Sequence, residues 1–105
     1  MIQDRRIPLA HFLIAALPFS LLYPFDGLET TTPTIQVVGV TQPDAVVGVN
    51  GIPVEVNYLG IFSTTLTLVE GDNLIDIVAT DLREVRFQTV AVFYLPRAKT
   101  VPDVR

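Results

Sequence analysis

Few residues in this chain have side chains suited to catalysis. There is one histidine, His11, two serines, Ser20 and Ser63, three tyrosines, and a set of carboxylates grouped in turn-like segments. A serine hydrolase needs a nucleophile, a base and a group that orients the base. His11 lies in an apolar N-terminal stretch, and without it neither serine has a base to activate it. The chain has no cysteine, which removes a thiol nucleophile, a thiolate metal site and a disulfide framework together. Glycoside hydrolysis by paired carboxylates would have to draw on Asp72, Asp76, Asp81 and Glu84. Carboxylates so placed serve as turn-formers and as solubilising charge. A small hydrolase is therefore the least supported of the functional readings.

Two binding chemistries remain. Calcium takes hard oxygen ligands from loop carboxylates and carbonyls. Glu70, Asp72 and Asn73 fall within one expected turn, and Asp26 or Asp44 would have to join them at one end of the domain. No Asp-x-Asp-x-Asp series accompanies them, and turn chemistry accounts for the same residues. Sugar binding uses aromatic faces as platforms. The chain has no tryptophan, and Tyr23 and Tyr94 read as strand residues. Tyr58, beside Asn57 in a turn, is the candidate platform, with Asn57 as its polar neighbour; the competing role is a tyrosine that caps the end of the fold.

Charge narrows the partners further. The net charge is −4 over 105 residues, but residues 25–95 hold nine acids against Arg83 and Arg86. An acidic body repels phosphate backbones, so nucleic acid is excluded as a partner. Other protein domains or a surface polysaccharide are the partners that fit.

The elements that must hold these residues are strands. Ala45 to Val56 reads as a hairpin: two β-branched runs flank Asn50-Gly51, the pair that supplies two positive-φ residues for a type I′ turn. Pro53 cannot donate to a ladder, which makes its strand an edge. Phe19–Tyr23 is a first strand, followed by a turn at Pro24-Phe25-Asp26-Gly27. Thr34–Val40 is a second strand, followed by a turn at Gln42-Pro43-Asp44. Asn57–Gly60 turns before the strand Ile61–Val69, in which Leu66 and Leu68 should face a core and Ser63, Thr65 and Thr67 should face water. Glu70–Asn73 is expected as a turn. Leu74–Thr80 is almost continuously apolar, the pattern of a central strand covered on both faces. Asp81–Glu84 turns the chain, and Val85–Leu95 is the last strand. About seven antiparallel strands with turns every ~8–12 residues predict an all-β, immunoglobulin-like Greek-key sandwich. Any helix would lie in residues 9–17.

The ends read differently from the body. Arg5-Arg6 precede the apolar run Ile7–Leu17, the order of charges and hydrophobes found in a secretory leader. No clean small-x-small cleavage site follows, and Pro8, His11, Pro18 and Pro24 break the run as a membrane span. The expected division is residues 1–16 as a leader or anchor stub, 17–96 as the sandwich, and 97–105 as a flexible polar tail. Membrane contact would come only through residues 1–16, if uncleaved.

Several of these residues carry a resemblance. Pro24, Asp26 and Gly27, then Val38-Gly39, Pro43-Asp44-Ala45, Val47-x-Val49-Asn50-Gly51, Val54, Gly60-Ile61-Phe62, Leu68-x-Glu70-Gly71-x-Asn73-x-Ile75 and Ala79-Thr80-Asp81 resemble bacterial immunoglobulin-like modules related to the glucodextranase accessory domain. The pattern departs at Leu82-Arg83-Glu84, where a Gly-Asn type turn is usual. The resemblance implies a non-catalytic spacer, interaction or carbohydrate-associated module of an exported or cell-surface protein, located outside the cell or in its envelope. The expected function is that of a structural spacer or interaction module, with a carbohydrate-binding accessory module as the alternative. Neither a cofactor nor a catalytic residue is expected.

Overall fold

The computed structural model describes residues 17–96. They form eight strands: β1 (Phe19–Tyr23), β2 (Leu28–Thr30), β3 (Thr34–Thr41), β4 (Val46–Val49), β5 (Ile52–Val54), β6 (Ile61–Thr67), β7 (Gly71–Thr80) and β8 (Val85–Tyr94). One sheet has three strands in the order β1-β3-β6, and the other has five in the order β2-β8-β7-β4-β5. The expected turns at 24–27, 42–44, 57–60 and 81–84 all separate strands. The possible helix at 9–17 falls on residues outside the described ones except for Leu17, which is not helical. The leader at 1–16 and the tail at 97–105 also lie outside the described residues.

Period-two alternation builds the core. Ile35 and Val37 of β3 and Phe62 of β6 face Val47 and Val49 of β4, Ile75, Ile77 and Ala79 of β7, and Val90 and Val92 of β8; all are buried. Phe62 is the largest of them, 1% exposed, and its ring reaches across β3 to stack on Phe19 of β1, the opposite edge of the sheet. The ring also covers Gly39, its partner in the ladder, where an added Cβ would collide with the ring carbons. Only a residue without a side chain fits beneath Phe62.

The Asn50-Gly51 hairpin forms as expected, with φ of 50° at Asn50 and 81° at Gly51. The Asn50 side chain then reaches across to accept the Asp76 N–H at 2.9 Å, while the Asn50 N–H donates to the Asp76 carbonyl. The β4–β5 hairpin is thus bolted to β7. Pro53 lies on β5, the edge of the five-stranded sheet.

Three expectations need correction. There is an eighth strand, β2, and it pairs parallel to β8. A three-residue strand shows no periodicity of its own, and it exists because β8 offers a free edge. Leu74–Thr80 is a central strand but is covered on one face only: Leu74 is 67% exposed, while Ile75, Ile77 and Ala79 are buried. Continuous apolarity here reflects an exposed apolar face rather than a second covering layer. Third, the turn expected at Glu70–Asn73 is shorter, because β7 already begins at Gly71.

Candidate functional site

The structure puts the calcium candidates on diverging sides. Asp72 and Asn73 are consecutive residues of β7 and so point to opposite faces of the sheet, Asp72 exposed and Asn73 half-buried. The Asn73 side chain is engaged in holding the chain. Its Oδ1 accepts the Val69 N–H at 2.8 Å, and its Nδ2 donates to the carbonyls of Val69, Gly71 and Val92. Asp26 accepts the Ala91 N–H at 2.8 Å, beside the C-terminal half of β8. Asp44 belongs to the opposite end of the five-stranded sheet, where it lines a hollow with Gln42, Asp81, Leu82 and Arg83. β7 runs the length between Asp72 and that hollow, a rise of about 25–30 Å. Among the described residues no three His, Cys, Asp or Glu side chains gather as a metal would require.

The hydrolytic candidates are equally committed to structure. Asp76 accepts the Thr89 hydroxyl at 2.7 Å. Asp81 Oδ1 accepts the N–H groups of Arg83 and Glu84, closing the β7–β8 turn. Ser63 accepts a hydrogen bond from the Gln36 amide, and Ser20 lies on the edge strand β1.

The sugar-platform candidates do come together. Tyr58 stands 84% exposed at the tip of the turn joining β5 to β6, with Leu59 exposed beside it. Asn57 shapes that turn: its Oδ1 accepts both the Leu59 and Ile61 N–H groups at 2.9 Å. Its oxygen is therefore taken, and Tyr58 remains as a free aromatic face.

A cluster that sequence reasoning missed lies where the chain enters the fold. Leu17 is 1% exposed. Its N–H donates to Glu84 Oε1 at 3.0 Å, and its carbonyl accepts from Arg86 Nη1 at 2.8 Å. The next carbonyl, Pro18, accepts the hydroxyl of buried Thr41 at 2.7 Å. Glu84 belongs to the Leu82-Arg83-Glu84 segment between β7 and β8. At the exit, the Leu95 N–H donates to the Thr30 carbonyl at 2.8 Å. No local signal announces the entry clamp, because its partners are 67 and 69 residues apart.

A family model for glucodextranase, domain B, matches residues 19–94, from the first residue of β1 to the last of β8. The chain belongs to the glucodextranase domain B family. Membership agrees with the order of turns read from the sequence and identifies an immunoglobulin-like accessory domain. A comparison with curated protein sequences found no match. Among solved structures, this domain B chain is similar to part of the endo-β-1,4-mannanase from Thermotoga petrophila, with a TM-score of 0.59 and 13% identity over 80% of this chain and 21% of that one. It is also similar to a putative β-galactosidase from Bacteroides fragilis, with a TM-score of 0.56 and 14% identity over 89% of this chain and 15% of that one. The fibronectin(III)-like modules of Clostridium thermocellum CbhA match with a TM-score of 0.51 and 15% identity over 75% of this chain and 98% of theirs. The chain thus spans about a fifth or less of the two enzymes and nearly all of the isolated modules. At these identities the likeness is one of fold.

Proposed function

We propose that this domain B chain is a non-catalytic spacer or interaction module of an exported or cell-surface bacterial protein. The observation that carries this reading is the fixing of both ends. Side chains of Glu84, Arg86 and Thr41 hold the entering chain at Leu17 and Pro18, and β2 holds the leaving chain at Leu95. A module tied in this way transmits orientation from one neighbour to the next. The acidic body supports an exposed, soluble setting. Its partners on this reading are other protein domains. Backbone 15N relaxation tests the mechanical part: order parameters of about 0.85 should hold at the non-proline residues from Leu17 to Leu95. A drop at Leu17 and Phe19, on either side of Pro18, to flexible values would remove the rigid-spacer reading.

A second reading, a carbohydrate-binding accessory module, has the exposure of Tyr58 in its favour. Retention of the protein on insoluble and soluble polysaccharides, with and without calcium, separates the two. Retention that Tyr58→Ala abolishes moves the protein to the binding class. Retention that also needs calcium and is lost in Asp72→Ala would revive a role for Glu70, Asp72 and Asn73. A spacer is not retained.

A further inference from the structure

The outward face of the five-stranded sheet is divided along its length. Toward the β7–β8 turn it is apolar: Val46, Val78, Val85 and Phe87 face out, with Val46 69%, Val78 37% and Phe87 73% exposed. Gly48 floors a hollow between Val46, Pro53 and Val78, and a Cβ placed there would meet nothing closer than 3.8 Å. Toward the other end carboxylates join the apolar side chains. Asp76 lies one step along from Val78, then exposed Leu74, then Asp72, with Glu29 on β2 in register with outward Phe93. The strands of this sheet present no lysine or arginine outward. The single arginine among them, Arg86, points inward to the Leu17 carbonyl.

We propose that this face is a protein-docking surface whose partner presents an apolar side chain flanked by lysine or arginine. The apolar knob would seat over Gly48 against Val78 and Phe87, and the cations would face Asp76 and Asp72. The inference rests on the interaction-module reading and supplies its surface and the chemistry of its partner. Charge selects this occupant over the alternatives. A second copy in register would set Asp72, Asp76 and Glu29 against their own kind, and an anionic lipid surface would be repelled in the same way. An exposed apolar area bordered by charge of one sign is the pattern of a recognition surface with a complementary rim.

The test is a titration of the full chain, followed by amide chemical shifts, with a short synthetic peptide of alternating lysine and leucine. A glutamate–leucine peptide and a lysine–serine peptide are the controls. Saturable shifts are expected at Gly48, Val78 and Phe87 and at Asp76, with no response to either control peptide. Phe87→Ser should weaken binding about tenfold, the effect of losing most of one buried aromatic contact. The pair Asp72→Asn and Asp76→Asn should weaken it about threefold, and added salt should reproduce that loss. Both sites are at the surface, and an unchanged melting temperature checks that the variants fold. Absence of saturable shifts, equal binding of the glutamate–leucine peptide, or full affinity in Phe87→Ser overturns the proposal. So do shifts centred on Ser63 and Thr65 of the other sheet. Concentration-dependent shifts at Phe87 without peptide would assign the face to a second copy and overturn it as well. None of these outcomes touches the spacer reading, which is judged by backbone order and polysaccharide retention.

Discussion

The two sheets turn very different surfaces to solvent. Outside the three-stranded sheet lie Ser20, Thr34, Gln36, Ser63, Thr65 and Thr67 together with Val38, Val40 and Ile61, an uncharged face of hydroxyls, one amide and aliphatic side chains, with Gln36 bonded to Ser63. Outside the five-stranded sheet lie an apolar half around Phe87 and Val78 and a half in which Asp72, Asp76 and Glu29 stand among outward Leu74 and Phe93. The inward faces are alike in both sheets, β-branched and apolar, and they meet in one core. The sandwich therefore specifies its inner faces tightly and leaves the outer ones open.

The sharpest way to break that contrast is to make one change on both sides of it. Phe62 and Phe87 are the same residue type in the two sheets, one 1% and the other 73% exposed. Phe62→Ala should cost about 3–5 kcal/mol, because it opens a cavity beneath the Phe19 ring that neighbouring strands cannot fill. Phe87→Ala should move stability by no more than about 0.5 kcal/mol. Urea melts of the two variants measure the difference. Similar losses would mean that Phe87 has a packed partner in solution.

A smaller effect comes from the glycine pair. Gly39→Ala drives a methyl into the Phe62 ring and should cost about 1–3 kcal/mol as ring and strand shift to make room. Gly48→Ala places the same methyl in open space on an extended strand. It should be neutral or stabilise by about 0.4–1 kcal/mol, through a stiffer unfolded chain and a better strand former. The same Gly48→Ala change partly fills the hollow, so it should also weaken lysine–leucine peptide binding without loss of stability. Thermal melts and the titration together read both effects.

How much of this was legible in the sequence depends on how local each cause is. The Asn50-Gly51 turn, the edge position of Pro53 and the inward setting of Phe62, Leu66 and Leu68 follow from neighbours in the chain, and each formed as expected. β2 did not announce itself, because Leu28-Glu29-Thr30 become a strand only by pairing with residues about sixty positions away. The apolar run of β7 was legible as a strand, but periodicity alone does not distinguish a covered outer face from an exposed one. Of the binding candidates, the exposure of Tyr58 followed from its turn. The side-chain oxygens of Asn57 and Asn73 did not advertise that backbone N–H groups would claim them. Asp72 and Asn73 diverged because β7 starts three residues earlier than the turn pattern implied. A strand separates neighbours that a turn would have gathered.

The smallest effect lies at the entry clamp, where the two sheets are joined by the incoming chain. Arg86 comes from the five-stranded sheet, Thr41 from the three-stranded one, and both donate to consecutive carbonyls at Leu17 and Pro18. Arg86→Ala leaves the Leu17 carbonyl without its charged donor in a half-buried place. The cost should be about 1 kcal/mol, the ordinary net worth of such a bond, since water can reach part of the gap. Glu84→Gln should cost less, because the amide oxygen still accepts the Leu17 N–H. Stability alone would not distinguish a clamp from a surface contact, but amide exchange at Leu17 does. If the clamp fixes the entry, exchange at Leu17 should quicken in Arg86→Ala by about five- to tenfold, matching the lost bond, while Ile77 in the centre of β7 changes only with global stability. Equal acceleration at Leu17 and Ile77 would mean that the entry opens only when the whole sandwich does, and the orientation of the incoming chain would then be a property of the core rather than of Arg86.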